Sequence, residues 1–249
     1  ISGSLTAKQI SLTLDGQPVD FTWKANGTLS ATLPALGTSS HQVSLTVSDA
    51  CGNLARKSVT ISGTAATRFA DMQKHWASTY TTPLNDKGII SGVTANGKTN
   101  FLPDQKITRG DFALMTANWL GLDLSRYAGV SLPYADAASI PKWDENAVKA
   151  LYAEGIMQGS KAGDGSLRAN AKASITRAEA MTILGRILPQ GYPQASLTAF
   201  SDAASVPSWS KDYVATLVEL KVVGGSNGKL DPNASVTRAE VAKMLFTLW

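Results

Sequence analysis

Apolar and polar residues alternate along the first quarter of the chain, and then the alternation stops. Residues 9–14, 19–23, 29–33, 41–47 and 57–61 each follow the two-residue period of a half-buried strand. Asp15-Gly16, Asn26-Gly27 and the stretch from Asp49 to Asn53 punctuate them with residues that favour tight turns. Short strands at this spacing predict a small β-sandwich over residues 1–63. From residue 64 the period becomes helical. Ala147, Val148, Leu151 and Tyr152 form one apolar stripe, and Tyr213, Val214, Leu217 and Val218 form another. Such stripes require a partner surface.

The helical region repeats a set of landmarks three times, which predicts units at 64–130, 131–196 and 197–249. Each begins with an aromatic, a small residue and an aspartate: Phe69-Ala70-Asp71, Tyr134-Ala135-Asp136 and Phe200-Ser201-Asp202. A tryptophan follows (Trp76, Trp143, Trp209), and 16 positions after it comes a glycine (Gly92, Gly159, Gly225). Next is Ile107-Thr-Arg-Gly-Asp111, then Ile175-Thr-Arg-Ala-Glu179, then Val236-Thr-Arg-Ala-Glu240. Thr-x-x-Glu before an apolar run reads as a capping box, in which the hydroxyl and the acid each accept from a backbone N–H at the helix start. The helices that follow carry Phe112, Met115 and Trp119; Met181, Leu184 and Leu188; Val241, Leu245 and Leu248. One helical hairpin cannot bury its own apolar face, so about three must assemble.

This order of landmarks resembles the S-layer-homology family, over about three quarters of the chain. The resemblance implies a multidomain β plus α protein: a mainly α, pseudo-threefold assembly of three repeats, with a central three-helix bundle and grooves between neighbouring repeats. It further implies an extracellular protein of the Gram-positive cell wall or S-layer, which binds secondary cell-wall polysaccharide, often through a terminal pyruvylated N-acetylmannosamine. Peptidoglycan is an alternative wall ligand. The stretch from Val47 to Ile61 resembles the last hairpin of bacterial immunoglobulin-like modules, which implies a spacer, truncated upstream.

Residue chemistry supplies a route to an acidic sugar. Arg109, Arg177 and Arg238 stand at helix starts, where free N–H groups and the helix dipole favour anions. A guanidinium can grip a carboxylate with two parallel hydrogen bonds. Trp76, Trp143 and Trp209 offer flat faces to a sugar ring. Asp71, Asp136 and Asp202 could accept from sugar hydroxyls, and Gly92, Gly159 and Gly225 permit close backbone approach. Structural roles compete with each of these. The arginines could pair with a neighbouring repeat, the tryptophans could be core, the aspartates could cap a turn, and the glycines could end helices. The repeats also differ. The first has Gly110-Asp111 instead of Ala-Glu, the second has Arg168-Ala169-Asn170 where the others carry a proline, and the third has Lys221 for Gly88 and Gly155. At least one competent groove is expected.

Composition narrows the alternatives. Hydrophobic content of 43% supports a packed core, and no apolar run approaches the roughly 20 residues needed to span a bilayer. The net charge of +4 is scattered, which argues against nucleic acid and suits an anionic wall polymer. One cysteine, Cys51, and two histidines make neither an internal disulfide nor a metal site. No cofactor is expected. The acids are explained by capping, and no nucleophile motif occurs, so no catalysis is expected of this chain. We read it as a monomeric C-terminal piece of a longer secreted protein, the rest being an enzyme such as a glycoside hydrolase, or an S-layer lattice protein.

Overall fold

The computed structural model describes residues 5–24, 26–31, 33, 40–49, 51–62 and 69–249. The chain divides into two units, Ile1–Ala66 and Thr67–Trp249. The expected boundary at 63/64 and the start of the chain lie outside the described residues.

In the first unit, β1 (Ile10–Leu14) turns through Asp15 and Gly16 into β2 (Gln17–Pro18). Asp15 and Gly16 both take positive φ, 52° and 83°, the geometry this hairpin turn needs. β3 (Phe21–Trp23) and β4 (Leu29–Ala31) form a separate two-stranded sheet around Asn26-Gly27. β5 (Ser40–Ser48) and β6 (Leu54–Ser62) complete a four-stranded antiparallel sheet of order β2-β1-β5-β6. Ile10, Leu12 and Leu14 point to its buried side. Of the expected strand at 19–23 only Phe21–Trp23 forms one, while Val19 N–H donates to Leu12 O (2.9 Å) just beyond β2. Cys51 is exposed in the β5–β6 turn.

The second unit contains three copies of one arrangement. In the first, α1 (Ser78–Asp86) leads through the hairpin β7 (Val93–Ala95) and β8 (Lys98–Asn100) to α2 (Arg109–Trp119). In the second, α3 (Lys142–Ala153) leads through β9 (Ser160–Lys161) and β10 (Leu167–Arg168) to α4 (Arg177–Ile187). In the third, α5 (Lys211–Glu219) leads through a Ser226–Lys229 bridge to α6 (Arg238–Thr247). The short hairpins were expected only as polar turns.

The repeats are joined by backbone hydrogen bonds in a closed ring. Ile107 N–H donates to Val236 O (3.1 Å), Val236 N–H to Ile175 O (3.1 Å), and Ile175 N–H to Ile107 O (3.0 Å). All three side chains are buried. The first two N–H groups of each following helix then reach the next repeat. Arg109 and Gly110 donate to Ala173 O and Ala171 O, Arg177 and Ala178 to Ala234 O and Pro232 O, and Arg238 and Ala239 to Gln105 O and Pro103 O. A helix start normally leaves such donors unsatisfied, and here the neighbour supplies the acceptors. The helices follow the same order: α2 packs on α3, α4 on α5, and α6 on α1. One apolar core runs through all three repeats, from Phe69 to Leu245.

Two of the residue differences have a conformational meaning. Gly88 and Gly155 follow their helices at positive φ, 72° and 71°, where glycine is at ease. Lys221 holds the same place at φ 58° with a Cβ that disfavours it. Lys221→Gly should therefore stabilise the chain by about 0.5–1 kcal/mol, the relief of strain exceeding glycine's larger backbone entropy loss. Thermal unfolding would read this as a small rise in midpoint, and Gly155→Lys should produce a fall of similar size.

Candidate functional site

The site is built where the repeats meet. The Thr before each of Arg109, Arg177 and Arg238 caps its helix: Thr108, Thr176 and Thr237 accept from the N–H of Asp111, Glu179 and Glu240. In the second and third repeats the glutamate completes the box. One oxygen, Oε2, accepts from its own Thr N–H (2.9 Å for Glu179, 2.8 Å for Glu240). Its other oxygen faces the preceding repeat, where Arg109 Nη1 lies 2.8 Å from Glu179 Oε1 and Arg177 Nη1 lies 2.7 Å from Glu240 Oε1. The same arginines donate through Nε to Ala169 O and Leu230 O. Each glutamate thus fixes its own helix start and its neighbour's arginine together.

At the closing boundary the pattern changes. Asp111 is one methylene shorter, and it accepts from its own Thr108 hydroxyl at 2.9 Å. Arg238 has no carboxylate within ion-pair distance among the described residues. It donates to Phe101 O and Ser91 O, and its guanidinium lies 4.8 Å from the Phe101 ring centroid. Burial pulls its pKa below the ordinary arginine value, against the opposing fields of Asp111 and Asp71.

The aspartates fasten turns. Asp71 accepts from Phe101 and Leu102 N–H, Asp136 from Ala169 and Asn170 N–H, and Asp202 from Leu230 and Asp231 N–H. The second residue of each pair sits at positive φ (Leu102 58°, Asn170 50°, Asp231 50°), so the carboxylate holds a turn that disfavours these side chains. Burial raises the Asp202 pKa, but the Leu230 and Asp231 N–H groups outweigh it and leave it below the usual range.

The glycines are not helix ends. A Cβ on Gly92, Gly159 or Gly225 would meet a backbone carbonyl and the ring of Phe69, Tyr134 or Phe200 at 2.5–2.9 Å. They let the hairpin segment lie flat on the opening aromatic of the repeat. The expected free N–H groups at the helix starts are also not available, since the ring and the caps use them.

The tryptophans are on the surface, Trp76, Trp143 and Trp209 being 53, 69 and 55% exposed. Two of them join residues from the other two repeats around a cleft. Trp209 meets Arg109, Gly159 and the α4 side chains Glu179 and Arg186 around about 380 Å³, with Lys161 at the edge. Trp76 meets Arg177, Gly225, Glu240 and Lys243 around about 260 Å³, with Lys106 and Asp231. Both clefts carry more cations than carboxylates, and an aromatic face beside them. Of the third set, Arg238 meets the segment before Gly92 through Ser91 O. There α2 presents Leu114 and Asn118 where α4 presents Thr182 and Arg186. Arg186 and Lys243 escaped the sequence reading because a basic residue beside an apolar stripe looks like any solvated helix face, and Lys106 and Lys161 because they stand in short connecting segments that carry no pattern of their own.

Beside the third set lies a buried acid. Asp144 follows Trp143, is 1% exposed, and has no hydrogen-bond partner for Oδ1. The equivalent residues are Ala77 and Ser210. A Cβ on Gly110 would stand 2.3 Å from Asp144 Oδ2, so Gly110 in repeat one makes room for the acid of repeat two. Burial, and then the Asp111 charge, push the Asp144 pKa up to about 7.

Among the described residues no group of three or more His, Cys, Asp or Glu is placed to hold a metal, and no helix is long and apolar enough to cross a membrane.

Comparison with known proteins bears on this arrangement. The model of the S-layer homology domain matches residues 68–113, 133–181 and 199–242, more than half of the chain. An amylopullulanase of Thermoanaerobacterium thermosulfurigenes is 32% identical over 186 residues, 72% of this chain and 9% of that protein. The exoglucanase XynX of Acetivibrio thermocellus is 30% identical over 72% of this chain and 16% of its own length. A surface-layer 125 kDa protein of Lysinibacillus sphaericus is 34% identical over 64% of this chain and 13% of its own. The chain therefore spans less than a fifth of these relatives, and the enzymes among them match only over that part.

Two outcomes are expected from Asp144 and Asp111. A proton held with a pKa of about 7 in the fold and 3.8 unfolded makes stability greatest below pH 4 and lowers it as pH rises through 7. Between those values the slope approaches ~1.4 kcal/mol per pH unit. Asp144→Asn should remove this dependence, seen as a difference between wild-type and variant denaturation midpoints that grows from pH 4 to pH 8. Asp111→Glu should restore the box and give Arg238 its carboxylate, raising stability by about 1 kcal/mol in the same assay.

Proposed function

Because the chain belongs to the S-layer homology family, we propose that it anchors a larger protein to the bacterial cell surface by holding secondary cell-wall polysaccharide in the clefts between repeats. The observation that carries this is the twice-repeated cleft in which one repeat contributes an exposed tryptophan, a second an arginine, and a third the glycine segment and its glutamate. The ligand is an acidic sugar end, and a pyruvate ketal is the form that best matches a cation beside an aromatic face. Its carboxylate is met by the η nitrogens that Arg109 and Arg177 have left and by Arg186, Lys161, Lys243 and Lys106. The sugar ring lies on Trp209 or Trp76.

Two clefts work in this reading. The third is weakened by Leu114, Asn118, the Asp111–Asp144 pair of acids, and an Arg238 already held by backbone carbonyls. The repeats form a pseudo-threefold prism with units at 64–130, 131–196 and 197–249, a reading supported by the closed ring of hydrogen bonds. Residues 1–63 serve as an immunoglobulin-like spacer, supported by the long β5–β6 hairpin. The names of the relatives support two kinds of cargo, a wall-bound glycoside hydrolase and a surface-layer protein. Concentration-dependent assembly of the longer protein separates them.

The test is calorimetric titration with wall polysaccharide of Thermoanaerobacterium thermosulfurigenes, before and after mild acid removal of ketal pyruvate. Binding should be lost with the pyruvate. Trp76→Ala and Trp209→Ala should each remove one of two sites, and Trp143→Ala should leave two. Equal binding by both preparations would return the arginines to a structural role, and binding to stripped peptidoglycan alone would replace the ligand.

A further inference from the structure

Trp209 lines two clefts. Besides the cationic one, it borders a second of about 310 Å³ formed by the end of α4, the connection at 189–194 and the start of α5. The two share more than the tryptophan. Arg186 lines the first cleft, and its guanidinium carbon lies 5.9 Å from the ring centroid of Tyr213, which lines the second.

One residue sets how Tyr213 lines the second cleft. A Cβ on Gly185 would stand 2.6 Å from Tyr213 Cβ, so glycine lets the tyrosine settle directly against α4 as part of the cleft wall. In the third repeat the matching residue of α6 is Phe246, whose ring packs on Tyr80, the counterpart of Tyr213, at 5.4 Å. The third repeat thus places an aromatic ring where the second has a glycine with the tyrosine packed against it.

The lining chemistry differs from that of the first cleft. Trp209, Tyr213 and a 40% exposed Tyr192 provide aromatic surface. Gln190 and Gln194 provide amides, and Asp212 is the one charged residue of the lining. The connection is tied down by Ala195 N–H to Ala215 O at 3.1 Å. Aromatic faces flanked by amides and a carboxylate suit an uncharged ring bearing hydroxyls, and a cleft of this size lies at the small end of ligand sites.

We infer that this cleft takes an uncharged internal sugar of the same chain whose acidic end occupies the first cleft, so that the Trp209 groove reads at least two consecutive residues. The inference rests on the polysaccharide reading above. It gives the chain a direction, with its acidic terminus toward Arg109 and its body toward Tyr192. It also makes the two working grooves unequal, since the Trp76 groove has Phe246 where this one has Gly185.

The test uses the whole chain with Trp76→Ala as background, titrated with wall polysaccharide of Thermoanaerobacterium thermosulfurigenes and its size-fractionated fragments down to the single terminal sugar. Affinity should rise about tenfold from the single sugar to fragments of two or more residues. Tyr192→Ala, at an exposed position of a connecting segment, should abolish that length-dependent gain, with an unaltered unfolding midpoint reporting an intact fold. Fragments no tighter than the single sugar, or a gain that survives Tyr192→Ala, would overturn the second subsite while leaving the first cleft standing. Absence of binding by every fragment would instead remove the polysaccharide reading and this inference with it.

Discussion

Every helix that follows a Thr-Arg pair begins with N–H groups that its own turn cannot satisfy, and the rest of the structure depends on where those donors go. In this chain they go to carbonyls of the next repeat, three times over, until the third repeat returns to the first. A buried donor left without an acceptor costs about 1–3 kcal/mol, so the repeats can pack these helix starts together only because each neighbour supplies its carbonyls. The arginine side chain takes the same path as its backbone, and the glutamate that caps one helix receives the guanidinium of the other. Capping, ion pairing and repeat assembly are thus one interaction seen at three scales. The tryptophan clefts are its by-product, since residues of three repeats meet only where the ring brings them.

The ring is not uniform. The buried side-chain atoms without partners among the described residues are Thr116 Oγ1, Trp119 Nε1 and Asp144 Oδ1, and all lie on α2 or α3. Thr116 stands where the other repeats have Leu184 and Leu245, so a hydroxyl occupies a place built for an aliphatic side chain. Gly110 and Asp111 belong to the same helix, α2, which thus departs from the repeat toward α3 through Gly110 and toward Arg238 through Asp111.

Much of this was legible in the residues. The Thr caps, the apolar stripes and the β-hairpins at Asp15-Gly16 and Asp49–Asn53 follow from local spacing, whereas the exposure of the three tryptophans, left open between core and surface, was decided only by packing. The aspartates were harder, because the turn that Asp71 holds lies 30 positions away. For the arginines the sequence left two roles open, ligand donor at a helix start and partner of the neighbouring repeat; their backbone N–H groups and two side-chain nitrogens of each serve the neighbour. No local pattern reveals an acceptor 60 residues distant, as Ala169 O is from Arg109. The match of Gly110 to Asp144 was invisible for the same reason. Each residue looks like a defect until the two helices are packed together.

The closing contacts join the two ends of the repeat region, with Arg238 reaching Phe101 O across 137 residues and Ser91 O across 147. Contacts of such separation form late, since the loop between them must be closed before they are rewarded. A chain delivered progressively in the order of its sequence, as in synthesis or export, holds two open boundaries until α6 arrives. The Trp76 cleft, which takes its tryptophan from the first repeat and its glutamate from the third, comes into being only at that moment. On the reading proposed above, the two clefts are therefore acquired at different times, since the Trp209 cleft takes no residue from α6 whereas the Trp76 cleft is incomplete until α6 is in place.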